Sequence, residues 1–263
     1  MFRKTVFKLI LIAITLNTTS AIADNPEKKG LQLAVQAKQR DSGWKDTQSK
    51  VVMTLTDDRG RQRVRELRIK SMEIDNDGDK SLFFFQAPKD IRGSAFLSFS
   101  HVRAPDEQWL YLPALKRIKR IASNNKSGSF MGSEFAYEDL SSFEVDKYNY
   151  RYMSEEPCQG GLCHIIEQRP VYKNSGYYRR VIWQDDSHSR IWKIDYYDHN
   201  NKLLKTLHCS HFAQYQEKYW RPGVLSMKNH QTGKGTTLVY EAYQFNTGLR
   251  DSDFHKNILQ RID

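Results

Sequence analysis

Residues 108–140 read QWLYLPALKRIKRIASNNKSGSFMGSEFAYEDL, and this stretch decides the kind of fold to expect. It begins with an aromatic and aliphatic run at residues 109–112, which is typical of a β-strand. After Pro113, a second strand-like run at residues 116–121 is strongly basic. The stretch ends in a loop rich in Ser, Asn and Gly that holds one apolar pair, Phe130 and Met131. Apolar surface, cationic side chains and a long loop are therefore expected side by side.

Strand-like patterns recur along the rest of the chain. Val51, Met53 and Leu55 alternate with polar residues, a turn signal follows at residues 57–60, and residues 61–74 are the predicted return strand. Residues 30–40 and 251–260 have helical spacing. Many antiparallel strands with few helices predict a strongly curved sheet or an open barrel. Further strands are predicted at residues 81–86, 95–101, 108–112, 117–122, 148–155, 163–171, 178–185, 190–198, 203–219, 224–231 and 236–243.

The N-terminus has the composition of an export signal. Three basic residues precede a short apolar run at residues 9–16, and Ala21-Ile22-Ala23 is a typical cleavage signature. The apolar run is about half of the roughly 20 residues that span a bilayer, which favours a cleaved signal at residues 1–23 over an uncleaved anchor. The expected product is an exported domain, residues 24–263, without stable membrane insertion.

The exported product is predicted to form a single domain, because no Pro-, Ser- or Gly-rich linker and no solenoid-length repeat divides it. The whole chain has a formal net charge of +10. Residues 1–23 carry three of these positive charges, which leaves roughly +7. A basic surface can meet nucleic acid, anionic lipid or an acidic partner, and the export signal argues against nucleic acid. The alternative is a solvated surface of mixed charge.

Two of the three cysteines lie at a spacing that suits a disulfide. Cys158 and Cys163 flank four residues between two strand-like runs, and in an oxidising compartment they can close a hairpin; the alternative is two free thiols. Cys209 is left unpaired, and it would share one strand face with His211. Two such ligands can begin a zinc or copper site, but a buried cysteine beside a partly exposed histidine is more common. No metal is predicted.

Motifs for catalysis are weak. The run at residues 128–133, Gly-Ser-Phe-Met-Gly-Ser, resembles a nucleophile elbow only superficially and has no recognisable histidine partner. The Gly-Lys-Gly-Thr run at residues 233–236 lacks the preceding glycine of a phosphate-binding loop. The acidic turn at residues 75–79 lacks the length and the terminal glutamate of a calcium loop. The chain is therefore predicted not to be an enzyme and to need no cofactor.

The best candidate ligand is an acyl chain, which needs a dry apolar groove that contributes about 0.8 kcal/mol per buried CH₂. Only one set of aromatic side chains from each strand can face inward. An ordinary filled core is the alternative for every one of them. The residues predicted to line the groove are Phe84, Phe96, Phe99, Trp109 and Tyr111.

Two further groups are predicted around this groove. Apolar residues inside a polar loop have no strand periodicity, so they are expected to form a lid or a docking surface. The basic strand is expected to contact head-group phosphate or carboxylate, or an acidic partner, with simple solvation as the alternative. The loop residues are Phe130, Met131 and Phe135, and the basic residues are Arg117, Lys119 and Arg120.

The central stretch closely resembles the outer-membrane lipoprotein-sorting proteins, the LolA-like group of periplasmic carriers. One branch has W-L-Y-L-P-A-x-[KR]-[KR]-[VI]-[KR]-R-I, followed by S-G-S-F-M-G-[ST]-[DE]-[FL]-x-Y-E-D-[LF]. Residues 109–121 and 127–140 match these motifs with little departure. The likeness extends upstream through residues 53–55, 65–67 and 79–81 and covers most of the expected product.

The resemblance implies a mostly β (α+β) fold, an unclosed barrel covered by a few short helices around an apolar cavity. It also implies a soluble periplasmic carrier that binds the acyl chains of a lipoprotein or lipid and passes them toward the outer membrane. Relatives in this branch often accompany RND/MMPL-type inner-membrane transporters, so such a transporter and an outer-membrane acceptor are expected partners. The alternative is an accessory protein-binding subunit of the exporter, without lipid cargo of its own.

Overall fold

One continuous antiparallel sheet of thirteen strands dominates the computed structural model, which describes residues 25–159 and 161–261. The predicted export signal at residues 1–23 lies outside the described residues. The strands are β1 Asp46–Thr56, β2 Gln62–Met72, β3 Lys80–Ala87, β4 Ala95–Phe99, β5 Glu107–Leu112, β6 Arg117–Arg120, β7 Tyr148–Cys158, β8 Gly161–Pro170, β9 Arg179–Asp185, β10 Ile191–Tyr197, β11 Leu203–Tyr215, β12 Tyr219–Asn229 and β13 Gly235–Phe245.

The sheet consists of two meanders joined by the pairing of the first and last strands. Its order is β6-β5-β4-β3-β2-β1-β13-β12-β11-β10-β9-β8-β7. Strands β6 and β7 are consecutive in the chain, yet they lie at opposite edges and do not pair, so the barrel is unclosed. The prediction of a mostly β fold with a curved, open sheet is confirmed.

Each face of the sheet has its own apolar cluster. On the concave face, Met53, Leu67 and Phe85 belong to a large cluster that extends through both meanders. On the convex face, Leu82, Phe84 and Leu97 pack against two short 3₁₀ helices at Asp251–Phe254 and Lys256–Gln260. The predicted C-terminal helix is therefore present as two 3₁₀ turns. Phe254 and Leu259 of these turns are buried.

The α-helix α1, Pro26–Arg40, lies directly against β7. The Asn25 side chain caps the helix by accepting a hydrogen bond from the Lys28 backbone N–H at 3.0 Å. At Gly30 the helix approaches so closely that an added Cβ would lie 2.9 Å from the backbone nitrogen of Tyr152. Only glycine fits this contact without a shift of one backbone or the other.

Residues 121–147 connect β6 to β7 across the concave face, and we call them the crossing segment. Hydrogen bonds attach this segment to strands of both meanders. The Arg65 guanidinium on β2 donates to the Met131 carbonyl at 2.6 Å, and the Lys205 ammonium on β11 donates to the Glu134 carbonyl at 2.8 Å. The crossing segment therefore belongs to the folded body and connects its two edges through the interior.

One predicted strand, residues 203–219, is wrong at its end. The chain reverses after Tyr215, and β12 begins at Tyr219. Gln216 and Glu217 both have positive φ, of 50° and 56°. Such turns usually contain Asn or Gly, because those residues adopt positive φ at low cost. This turn contains neither, so its sequence gave no signal for the reversal.

Candidate functional site

A cavity of about 1220 Å³ lies between the sheet, the crossing segment and the C-terminal end of α1. Strands from β8 through β13 and on to β3 supply its floor. The floor is mainly apolar, whereas the rim carries many charged side chains. Floor residues include Ile69, Phe83, Ile182, Ile194, Leu207, Cys209, Phe212 and Tyr240.

Strand register arranges the floor in rows. Arg180 on β9 pairs with Gln168 on β8 and with Tyr196 on β10, and Tyr196 pairs with Lys205 on β11. These four residues form a polar row across the concave face. Two residues further along each strand, side chains return to the same face. The next row, Ile182, Ile194 and Leu207, is therefore aliphatic and lies directly beside the polar one.

The polar row is joined to the crossing segment by a buried ion pair. The Lys205 ammonium lies 2.7 Å from an Asp139 carboxylate oxygen, and both side chains are about 5% exposed or less. The Tyr177 hydroxyl also donates to Asp139, at 2.8 Å. Glu138 beside it accepts hydrogen bonds from Tyr172 and from Gly176. Burial, with the charge of Asp139, raises the pKa of Glu138 against the effect of these hydrogen bonds.

The opposite end of the cavity is aromatic and cationic. The Arg190 guanidinium lies 2.6 Å from the Asp185 carboxylate and over the rings of Trp192 and Trp220. The Trp220 indole nitrogen is buried and has no acceptor among the described residues. A buried donor without a partner is costly, so this end can accept a polar ligand group. The cavity thus has an apolar middle between two polar ends.

Asp79, between β2 and β3, lines the cavity and gives a pH-dependent prediction. Burial raises its pKa to about 7; the charge of Lys38 opposes this rise and that of Glu144 adds to it. The folded pKa exceeds the unfolded value of about 3.9. The contribution of protonated Asp79 to the free energy of unfolding is therefore complete below about pH 4 and is lost as the pH rises through 7. Asp79→Asn is therefore expected to be more stable than wild type at pH 8, by on the order of 1–3 kcal/mol. Urea denaturation from pH 4 to pH 8 measures this gain.

Asp77 provides the matched control, because its pKa moves in the opposite direction. Although burial acts to raise it, hydrogen bonds from His101 and from the backbone of Val102 and Gly78 lower the pKa of Asp77 to about 2. Asp77→Asn should therefore lose stability at neutral pH. Parallel pH profiles for wild type and Asp79→Asn would contradict the assignment of Asp79.

Four of the five aromatic residues predicted to line the groove lie elsewhere. Phe84, Phe99, Trp109 and Tyr111 belong to the convex cluster beneath the C-terminal turns. The reason is strand parity, since Phe83 and Phe85 take the concave face and leave Phe84 on the other side. Phe96 does face inward, but it is fully buried against Phe130 instead of lining the cavity.

The predicted lid residues form part of the packed core. Phe130 and Phe135 are buried in the concave cluster, and Met131 packs against it. Phe130 contacts the rings of Phe83 and Phe96 at centroid distances of 5.8 and 5.1 Å. These side chains cover part of β3 and β4, and the open cavity begins beside them at Phe83. A charged residue at position 130 would be buried without a partner.

The basic residues lie on the edge strand, away from the cavity wall. Arg117, Lys119 and Arg120 are all exposed. The Arg120 guanidinium is 2.8 Å from the Glu107 carboxylate, and both groups are open to solvent. An exposed pair of this kind contributes little to stability. The role predicted for these residues, contact with a head group or partner, stays a prediction.

The disulfide prediction is confirmed, because Cys158 and Cys163 are bonded across the β7–β8 hairpin.

The third cysteine, Cys209, does not share a strand face with His211 as the sequence predicted. Cys209 faces the cavity, and burial raises its pKa to about 12, whereas His211 is exposed. The backbone of His211 has a φ of 55°, which is irregular for a strand, and Cys209 and Phe212 line the cavity on either side of it. Among residues 25–159 and 161–261, no group of three or more His, Cys, Asp or Glu could hold a metal ion.

Sequence reasoning missed the residues that form the floor. Arg180, Ile182 and Gln184 on β9 all line the cavity, as does Ile194 on β10. The sequence signal for these residues was the period-2 pattern of β9, in which Arg180 is charged, Ile182 is aliphatic and Gln184 is polar. That pattern resembles an ordinary amphipathic strand, and only the sheet order shows that these strands surround open space.

Comparison with known proteins assigns the chain to a family. A family model described as an uncharacterized protein matches residues 77–261. Among solved structures, a candidate outer membrane lipoprotein-sorting protein domain from Vibrio parahaemolyticus is 49% identical, with a TM-score of 0.88, over 89% of this chain and 100% of that chain. The chain belongs to the outer membrane lipoprotein-sorting protein family.

More distant structures support the same fold for this family member. A DUF1329 family protein from Desulfovibrio piger is 29% identical, with a TM-score of 0.85, over 90% of this chain and 100% of that chain. A LolA superfamily protein from Nitrosomonas europaea is 18% identical, with a TM-score of 0.69, over 87% and 98% of the two chains, and shows the fold alone. No curated protein matches the sequence significantly. Within the described part of the chain, none of the helices has the length and apolar character needed to cross a bilayer.

Proposed function

We propose that this protein is a soluble periplasmic carrier that binds the acyl chains of a lipid or lipoprotein in its cavity and passes them toward the outer membrane. The observation that carries the proposal is the cavity of about 1220 Å³ with its apolar floor. This volume exceeds the roughly 300–1,000 Å³ of a typical small-molecule site. An acyl chain suits such a space, since each buried CH₂ contributes about 0.8 kcal/mol.

Sequence features support the proposed periplasmic location, and the family resemblance supports the proposed route of the cargo. The cleavage signature before Asp24 and the disulfide between Cys158 and Cys163 both suit an oxidising, exported environment. The family resemblance supports loading from an RND/MMPL-type inner-membrane transporter and delivery to an outer-membrane acceptor. We propose transfer without covalent chemistry, with release driven by an acceptor that binds the cargo more tightly.

A cavity-filling substitution tests the proposal. Cys209 faces the cavity from β11, whereas its neighbour His208 is exposed on the other face of the same strand. Cys209→Trp places a large ring where an acyl chain would lie, and His208→Trp adds the same ring outside. Binding is measured as displacement of a fluorescent fatty acid, and circular dichroism confirms that each variant is folded.

We expect Cys209→Trp to weaken binding by at least tenfold and His208→Trp to leave it unchanged. Equal binding by both variants would place the lipid outside the cavity and overturn the proposal. The absence of lipid binding in the wild-type protein, also by native mass spectrometry of protein from the periplasm, would favour the accessory-subunit alternative. The part of the concave face that the side chains of Phe130 and Phe135 fill is the observation that favours this alternative.

A further inference from the structure

Arg180 holds a positive charge inside the cavity, without a carboxylate partner among residues 25–159 and 161–261. Its Nε and Nη2 atoms both donate to the Gln168 side-chain oxygen, at 3.1 and 2.6 Å. The guanidinium lies over the Tyr148 ring, 4.1 Å from its centroid. Within the described residues, no carboxylate lies within 4.0 Å of Arg180, and its Nη1 has no acceptor. One edge of the guanidinium is thus held by a neutral amide, while the other edge is open.

Several other cations near Arg180 are neutralised in a different way. Four line the same cavity, Lys205 lies beside it on β11, and each has an acidic partner within 4.0 Å. The nearby carboxylate Asp139 interacts electrostatically with Arg180, but it is already bound to Lys205 and Tyr177. The pairs are Lys38 with Glu144, Lys147 with Asp106, Arg190 with Asp185, Lys205 with Asp139 and Arg221 with Asp41.

Contacts within the protein fix the orientation of the Arg180 guanidinium before any ligand binds. The bidentate contact with Gln168 and the stacking on Tyr148 hold the planar group at the boundary between the polar and aliphatic rows. A guanidinium binds phosphate or carboxylate through two parallel N–H groups, and such charge-assisted bonds are stronger than neutral ones. The aliphatic residues Ile182 and Ile194 begin one row away, close enough to contact a chain attached to that anion.

We propose that Arg180 binds the anionic group, phosphate or carboxylate, of an amphiphile whose acyl chain lies along Ile182, Ile194 and Leu207. This inference rests on the proposed carrier function and narrows its cargo to anionic lipids. A lipid whose polar end is neutral leaves the cation unpaired. The acyl-bearing end of a triacylated protein is of this neutral kind, so the two cargo classes should differ in their dependence on Arg180.

Two matched pairs of ligands test the inference in the full-length mature protein. Phosphatidic acid is compared with diacylglycerol of the same acyl chains, and a fatty acid with the corresponding fatty alcohol. We expect wild type to prefer the anionic member by about 10- to 100-fold, as a charged hydrogen-bond pair provides. The first pair reports on a phosphate and the second on a carboxylate.

Arg180→Gln should abolish the preference for the anionic ligand without weakening binding of the neutral one, and Arg180→Lys should retain part of the preference. Lys173→Gln, at an exposed cation on the cavity rim, is the control that should change nothing.

The outcomes separate this inference from the carrier proposal. Equal binding of anionic and neutral ligands by wild type would overturn the role of Arg180 and leave the carrier proposal standing. A similar loss of both ligands in Arg180→Gln would show that Arg180 only supports the fold. Tight binding of a triacylated peptide that is insensitive to Arg180→Gln would overturn the narrowing to anionic lipids. Failure of all ligands to bind wild type would overturn the carrier proposal itself.

Discussion

Replacing Phe130 with alanine is expected to lower the free energy of unfolding by about 3–5 kcal/mol. The Phe130 side chain is 0% exposed. Its ring lies 5.1–5.9 Å, between centroids, from the four aromatic rings around it. Truncation would remove these contacts and leave a cavity, because the packed surroundings relax only partially. The surrounding rings belong to Phe83, Phe85, Phe96 and Tyr137.

Urea denaturation of Phe130→Ala and of a surface control measures this effect. Leu115 is 68% exposed, so Leu115→Ala should change stability by no more than about 0.5 kcal/mol. A loss below about 1 kcal/mol in Phe130→Ala would mean that the crossing segment is not part of the core. It would also restore the interpretation of this loop as a lid.

Replacing Lys205 with methionine is expected to cost about 3–5 kcal/mol, because it leaves the buried Asp139 carboxylate without its cation. The ammonium of Lys205 contacts both the Asp139 carboxylate and the Glu134 carbonyl, so it fastens β11 to the crossing segment at two points. Both partners are buried from solvent. Breaking one side of such a pair is costlier than replacing both, since an isolated charge remains.

A double-mutant cycle with Asp139→Asn isolates this coupling. The variant carrying both substitutions should be more stable than the sum of the two single losses predicts, by at least about 1 kcal/mol. Lys234→Met, at an exposed lysine in the β12–β13 turn, should be nearly neutral. Strict additivity of the two single substitutions would contradict the pairing of Lys205 with Asp139.

The architecture could be predicted from the sequence because strand patterns and turn residues are local signals. The turn at residues 57–60 shows this, since the Asp57 side chain accepts hydrogen bonds from the Arg59 and Arg61 backbones and Gly60 supplies a φ of 80°. The disulfide was similarly readable from the spacing of Cys158 and Cys163. In each case the physical cause lies within a few residues of the sequence it explains.

The site could not be read in this way, because it depends on which face of each strand points inward. The run from Leu82 to Phe85 is apolar on both faces, so alternation alone cannot separate Phe83 from Phe84. The positive φ of His211 interrupts the alternation of β11 without any marker residue. The unpaired charge of Arg180 emerges only because no carboxylate of the described residues lies within 4.0 Å of it, which is a property of the assembled sheet.

An unclosed sheet has a consequence for self-association. Exposed strand edges can pair with the edge of another molecule and start aggregation. Here α1 lies against the backbone of β7 at one edge, with the closest approach at Gly30. At the other edge, β6 is only four residues long and presents Arg117, Lys119 and Arg120 to solvent. Electrostatic repulsion between two such edges disfavours growth of an intermolecular sheet, so these cations protect solubility whatever else they contact.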